Sequence, residues 1–287
     1  MNIKYNTLKS KTAINISNLT KKYYNSGNKN FHKALDSINL SIPKGCIFGL
    51  LGPNGAGKST LINIISGTVV KSSGNIIVWG SNLDDNPKQV RASIGVVPQE
   101  LITDVFLTPK EIIEFCSGLQ GIPKNERITD EIINFVGLRD QANAYSRSLS
   151  GGMKRRLLIA KAMVHQPPIL ILDEPTAGVD IELRQSLWNN ILDLKSKGIT
   201  VVLTTHYLQE AQKLCDFIAI INKGKIVTSQ NKNSLLKSMG RKEIYINIIS
   251  KKDKKLPNEI INLKPKKLKD FVKITFNPSK ITAGKII

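Results

Sequence analysis

The residues Gly52-Pro53-Asn54-Gly55-Ala56-Gly57-Lys58-Ser59-Thr60 fit the pattern G-x-x-x-x-G-K-[ST], and the chemistry of that pattern is the holding of phosphate. Its glycines let backbone N–H groups turn inward onto phosphate oxygens, and a helix start behind them adds partial positive charge. Lys58 can reach the β- and γ-phosphates of a nucleotide, and the Ser59 hydroxyl can ligate Mg²⁺. Further along, Ile169-Leu170-Ile171-Leu172-Asp173-Glu174 ends an apolar run in two carboxylates. Asp173 would meet the Mg²⁺ held by Ser59, and Glu174 could polarise a water in line with the γ-phosphate. A third stretch, Leu149-Ser150-Gly151-Gly152-Met153, sets an N-cap serine before two glycines at a helix start, a second anion site. Two such sites in one chain suggest that one of them serves a nucleotide held by a neighbouring subunit.

These groups need elements to position them. Cys46 to Leu51 is a nearly continuous apolar run, as in a strand buried on both faces of a parallel sheet. Leu61, Ile62, Ile64 and Ile65 suit a helix that Gly67 stops. Ala13 to Leu19 and Ser37 to Ile42 alternate apolar with polar residues and read as half-exposed antiparallel strands, with a loop at 25–30. Strands are also expected at Asn75 to Trp79 and Ile94 to Val97. Residues 100–165 turn helical. Thr108-Pro109-Lys110-Glu111 is a capping box with proline at the first helical position, followed by a stripe of Ile112, Ile113, Phe115, Cys116 and Leu119. A second helix is expected over Arg127 to Val136, ended by Gly137, and a third runs on from Ser150 through Leu157, Ala160 and Val164. From Ile169 the alternation resumes: strand, a helix with Leu183, Leu187, Ile191 and Leu194 on one face, then strand Ile199 to Leu203. The fold class is α/β, a parallel-sheet core in which ligands sit at the carboxyl ends of strands.

The chain has 287 residues, 41% of them hydrophobic, enough for one large α/β domain or two modest ones. No run approaches the ~18 uninterrupted apolar residues of a membrane span, and the N-terminus lacks a signal-peptide pattern, so a cytoplasmic location is expected. Cys46, Cys116 and Cys215 show no C-x-x-C spacing and read as reduced core residues. His32 and His165 read as surface or structural, and Trp188 as packing. The net charge of +20 raises a nucleic-acid or anionic-membrane surface. Lysine is spread over the whole chain without interleaved aromatics, however, so the charge reads as compositional and a nucleic-acid partner is not expected.

In its motifs and their order the chain resembles the ATPase subunit of ABC (ATP-binding cassette) transporters, over about residues 14–230. The resemblance rests on Gly52 to Thr60 as Walker A, Gln99 as the Q-loop and Leu149 to Met153 as the signature. It continues with Ile169 to Glu174 as Walker B, Ala177-Gly178-Val179-Asp180 as the D-loop and His206 as the switch histidine. It implies a RecA-like P-loop core, an antiparallel β subdomain and an inserted α-helical subdomain at about 100–165. The divisions it suggests are an arm at 1–13, a cassette at 14–239 and a lysine-rich extension at 240–287. It also implies roles. Tyr23, or Tyr24, would stack on adenine, and Gly52 to Thr60 would wrap the phosphates. Ser59, Gln99 and Asp173 would hold Mg²⁺. Glu174 would be the general base, Lys58 and His206 would hold the γ-phosphate, and Gln99 would sense it. Leu149, Ser150, Gly151, Gly152 and Met153 would meet ATP on the opposite subunit of a homodimer. Met153 stands where many family members have Gln. The branch resembled is that of exporters with a separate membrane permease, which places the chain on the cytoplasmic face of the membrane. A soluble cassette ATPase acting on nucleic acid, ribosome or iron–sulfur assembly is the second reading.

Overall fold

The alternating N-terminal segments fold as two long strands, β1 (Thr12–Tyr24) and β2 (Phe31–Pro43), paired antiparallel. Ile14, Ile16, Leu19, Ile38, Leu40 and Ile42 are all buried, so period-2 patterning places one whole face in the core. The computed structural model describes residues 11–24, 30–177, 181–238, 242–247, 263, 265–267 and 271–276. Residues 1–10 of the expected arm lie outside them, while β1 already begins at Thr12.

After β3 (Ile47–Leu51) and helix α1 (Lys58–Ile65), β4 (Ser73–Val78) pairs with the other edge of β1, and β5 (Ser81–Asn82) follows. This closes a four-stranded antiparallel sheet of order β2-β1-β4-β5. Helix α2 (Pro87–Ala92) then leads into β6 (Ile94–Val97).

The helical insert is α3 (Pro109–Leu119), α4 (Thr129–Phe135) and α5 (Gly151–Met163). The capping box forms as its residues dictate: Glu111 N donates to Thr108 Oγ1 at 3.2 Å, and Thr108 N donates to Glu111 Oε2 at 2.8 Å. Thr108→Ala should therefore lower stability by about 1 kcal/mol, read as an earlier urea midpoint with unchanged slope. The second helix starts at Thr129, not Arg127. The Arg127 side chain is drawn away instead, with Nε donating to Ile122 O at 3.1 Å and NH1 to Glu114 at 2.7 Å. Cys116 corrects a second expectation. It is half-buried on α3, whereas Cys46 and Cys215 are buried, and burial pushes the Cys46 thiol up to about 12.

The second half of the unit supplies β7 (Ile169–Asp173), α6 (Ile181–Ser196), β8 (Thr200–Thr205), α7 (Leu208–Leu214), β9 (Phe217–Asn222) and β10 (Lys225–Asn231). The central sheet runs β10-β9-β3-β8-β7-β6. Its β6–β7, β7–β8, β8–β3 and β3–β9 pairings are parallel. Sequence neighbours β6 and β7 lie side by side while β3 sits two places away, so the loops after β3, β6, β7 and β8 all open at one edge. β3 and β8 are buried throughout, which is why they read as continuous apolar runs rather than alternation. Trp188 is part-buried against α7, donating from Nε1 to Glu210 Oε1 at 3.3 Å.

The chain parts into two compact units, residues 1–230 and 231–287. Helix α8 (Lys232–Ser238) falls in the second of these units. Among its described residues that unit holds a three-stranded sheet built from β11 (Lys242–Asn247), β12 (Lys266–Lys267) and β13 (Phe271–Phe276) in the order β11-β13-β12. Val272, Ile274 and Phe276 are its buried row, with Ile244, Ile246 and Leu263 packed against them. The lysine-heavy sequence here hides a period-2 apolar face.

Candidate nucleotide site

The loop between β3 and α1 is shaped by what cannot fit. Gly57 sits at φ +108°, and a Cβ there would lie 2.8 Å from Ala34 O. A Cβ on Gly52 would lie 2.4 Å from Ile221 O. Both positions therefore demand glycine, one for conformation and both for space. α1 begins with no side-chain cap bond and no acidic residue in its own first turn, so its N-terminal dipole faces the loop. Lys58 is 5% exposed. Its ammonium donates to Gly52 O at 2.8 Å and Pro53 O at 3.2 Å, and lies 3.4 Å from Glu174 Oε1.

Glu174 is the focus of the site. It follows β7 with a left-handed backbone, φ +46°, an uncommon conformation for a residue with a side chain. The conformation is held from β8: Glu174 N donates to Thr204 Oγ1 at 2.9 Å, and that same hydroxyl donates to Asp173 Oδ1. One threonine thus ties both carboxylate residues to the neighbouring strand. The Glu174 carboxylate meets Lys58 and His206 Nδ1, the latter at 3.3 Å, on one oxygen. Its other oxygen accepts from Gln99 Nε2 at a long 3.5 Å. Three of the residues expected to act on the γ-phosphate, Lys58, Gln99 and His206, come from separate segments and converge on the carboxylate of the fourth, Glu174.

Beside them lies a cavity of about 430 Å³, within the range of small-molecule sites. The loop from Pro53 to Thr60 forms its floor, and Tyr23, His32, Ala34, Gln99 and Glu174 complete the lining. Tyr23 belongs to the cavity. Tyr24 points elsewhere, 68% exposed, with its ring 5.9 Å from that of Phe31. His32 had read as surface or structural; it is exposed, but on the cavity wall. It is the cross-strand partner of Tyr23, so the β1–β2 register brings it there. No linear motif marks it, and only pairing the two strands residue by residue would have found it.

Leu149 to Met153 do not line this cavity. Ser150 caps α5, accepting from Met153 N at 3.3 Å, with Gly151 exposed and Leu149 buried. Gly178, Val179 and Asp180 lie outside the described residues; Ala177 N donates to Glu174 O at 3.1 Å, closing the turn after β7. Among the described residues no cluster of three or more His, Cys, Asp or Glu could hold a metal by itself. Ser59, Asp173 and Gln99 offer hydroxyl, carboxylate and amide oxygens, hard donors that suit a Mg²⁺ shared with phosphate oxygens and water.

A glycine loop wrapping a helix start, facing paired carboxylates at the end of a parallel strand, defines a P-loop nucleoside triphosphatase. A sequence model of the family described as ABC transporter matches residues 35–177. The chain is 40% identical over 205 residues to the linearmycin resistance ATP-binding protein LnrL of Bacillus subtilis, covering 71% of this chain and 66% of that one. It is 36% identical to the Nod factor export ATP-binding protein I of Cupriavidus metallidurans, over 72% of this chain and 69% of that one. To the daunorubicin/doxorubicin resistance ATP-binding protein DrrA of Streptomyces peucetius it is 38% identical, over 79% and 68% respectively. Matches thus span about two thirds of these relatives' own lengths. Among solved structures, cbiO1 of Clostridium perfringens, part of the cbiONQ transporter complex, superposes with a TM-score of 0.70 at 28% identity, over 79% of this chain and 91% of that one. The cassette MJ0796, in a dimeric post-hydrolysis state with ADP and Pi, gives 0.67 at 26% identity, over 76% and 98%. The chain belongs to the ABC transporter family, among its ATP-binding, ATP-hydrolysing subunits. Among the described residues, no helix is long and apolar enough to cross a membrane.

Proposed function

We propose that two copies of this chain close on two ATP molecules and hydrolyse them to power export through a separate integral-membrane permease. The cassette would span residues 14–239 and sit on the cytoplasmic face of the membrane. The observation that carries the reading is the convergence of Lys58, Gln99 and His206 on Glu174 beside the loop cavity.

The chemistry follows from those positions. Tyr23 stacks on the adenine, and backbone N–H groups from Gly52 to Gly57 hold the phosphates. Lys58 exchanges its hold on Gly52 O, Pro53 O and Glu174 for β- and γ-oxygens, and neutralises charge as it develops. Ser59, Asp173 and Gln99 would hold Mg²⁺, which would supply further neutralisation of phosphate charge. Glu174, relieved of Lys58, orients a water and takes its proton. His206, half-exposed with its ring centroid 4.0 Å from that of Tyr207, turns to the γ-phosphate. Ser150, Gly151 and Gly152, set away from the chain's own cavity, complete the γ-phosphate shell of the partner copy. Contacts that need that phosphate make the closed pair a switch that hydrolysis opens.

The relatives' names support export, with resistance and Nod factor export among them. The stretch between β6 and α3 supports a membrane partner. Ile102 and Phe106 there are 68% and 73% exposed, an apolar surface next to the γ-phosphate sensor Gln99. Purification of the tagged chain from its own cells should bring down a polytopic membrane protein. Nucleic acid with no membrane partner would instead establish the soluble alternative. Tyr23→Ala should raise KM for ATP by roughly 10-fold, from loss of about 1–3 kcal/mol of base stacking, with kcat nearly kept. An unchanged KM would remove Tyr23 from the adenine site.

A further inference from the structure

We infer that Arg155 is a positioning residue that couples the signature helix to the γ-phosphate sensor Gln99. Its guanidinium leaves α5 and donates from NH1 to Pro98 O at 2.8 Å and from NH2 to Gln99 O at 2.9 Å. Two parallel N–H groups on two successive carbonyls use the planar fork that only arginine has. Arg155 sits one turn into the helix that Ser150 caps, so the same helix start that offers Ser150 and Gly151 outward fixes Gln99 inward. The Gln99 side chain in turn reaches Glu174. Ser150, Arg155, Gln99 and Glu174 thus form one mechanical chain from the surface meant for the partner's nucleotide to the base acting on this chain's own.

The rest of α5 is fastened to the same strand. Gly95 lies so close that a Cβ would meet Ala162 O at 2.2 Å, and His165 Nε2 is 3.1 Å from Ile94 O. The helix and β6 therefore shift together, and Arg155 is where that shift reaches the loop at Gln99. Arg155 is 2% exposed, and burial pulls its pKa down. A charge kept out of water at such a cost, where an apolar side chain of the same length would fill the space, argues for a demand other than stability.

The inference rests on the proposed function above, whose base and two-copy closure Glu174→Gln examines separately. The experiment compares Arg155→Met and Arg155→Lys in the full-length chain by melting temperature, binding of a fluorescent ATP analogue and steady-state hydrolysis. Arg155→Met should melt within a few degrees of the parent and bind the analogue with about the same affinity. Its kcat should fall about 10- to 100-fold, the scale of an ångström-size misplacement of a reacting group. Arg155→Lys, which keeps the charge and one of the two bonds, should recover part of that loss. Hydrolysis within about twofold of the parent in a folded Arg155→Met would overturn the coupling. So would a fall in kcat matched by a loss of nucleotide affinity, or a failure of both variants to fold, since either makes Arg155 a residue of stability alone. If Glu174→Gln abolishes turnover while the Arg155 variants do not lower it, the site stands and only the coupling falls.

Discussion

Glu174→Gln should lower kcat at least about 100-fold while the chain still binds ATP, since a general base contributes some 10²- to 10⁴-fold. The substitution keeps the shape of the side chain and the backbone bond from Glu174 N to Thr204 Oγ1, so the left-handed turn survives. What it removes is the proton acceptor. The amide is also a poorer partner for the Lys58 ammonium at 3.4 Å, which frees that lysine for phosphate. Nucleotide affinity should therefore hold or rise. The stalled ATP state should accumulate as a dimer in size-exclusion chromatography with ATP and Mg²⁺. Undiminished turnover would take the base role from Glu174, and a chain that stays monomeric with ATP bound would remove the two-copy closure.

Lys58→Ala has the other large effect, and it falls on binding as well as turnover. The wild-type ammonium is almost wholly enclosed, its donors on Gly52 O, Pro53 O and Glu174. Hydrogen bonds to charged groups contribute about 1.5–3 kcal/mol each, so loss of two phosphate contacts should weaken ATP binding about 100-fold or more. The same deletion leaves the Glu174 carboxylate, 11% exposed, without its lysine partner. A calorimetric titration with ATP measures the first consequence. A variant that bound ATP normally would show that the loop's backbone alone holds the triphosphate.

The two variants separate two layers of the site that differed in how legible they were. Phosphate-loop and strand-end residues could be read directly, because a backbone that must approach an anion constrains residue type at fixed spacing. Gly57 is the clear case, where both φ and Ala34 O exclude a side chain. The parallel strands were legible for a similar reason: burial on both faces leaves an unbroken apolar run, as in Ile169 to Leu172. What depends on distant pairing was not legible. His32 reaches the cavity only through its register opposite Tyr23, and Thr204 reaches Asp173 and Glu174 only because β8 lies beside β7. Arg155 stands in the basic run Lys154-Arg155-Arg156, and nothing local shows that its fork lands on Pro98 and Gln99. The start of α4 moved for the same kind of reason, Arg127 being claimed by Glu114 from another helix.

Thr204 carries a consequence beyond the positions it fixes. β7 and β8 align with Asp173 opposite Thr204 and Leu172 opposite Leu203. A slip of one residue that brought Leu203 opposite Asp173 would swing the Thr204 hydroxyl to the far side of the sheet and set an isobutyl group in its place. Both carboxylates would lose their anchor in the same instant, and the glycine loop would feel the change too, because β3 pairs with the other edge of β8 and Gly52 N donates to Thr205 O at 3.3 Å. Alignment of this strand therefore acts as a gauge of readiness: a molecule with a frayed eighth strand would loosen its grip on the fuel and lose the means to burn it together.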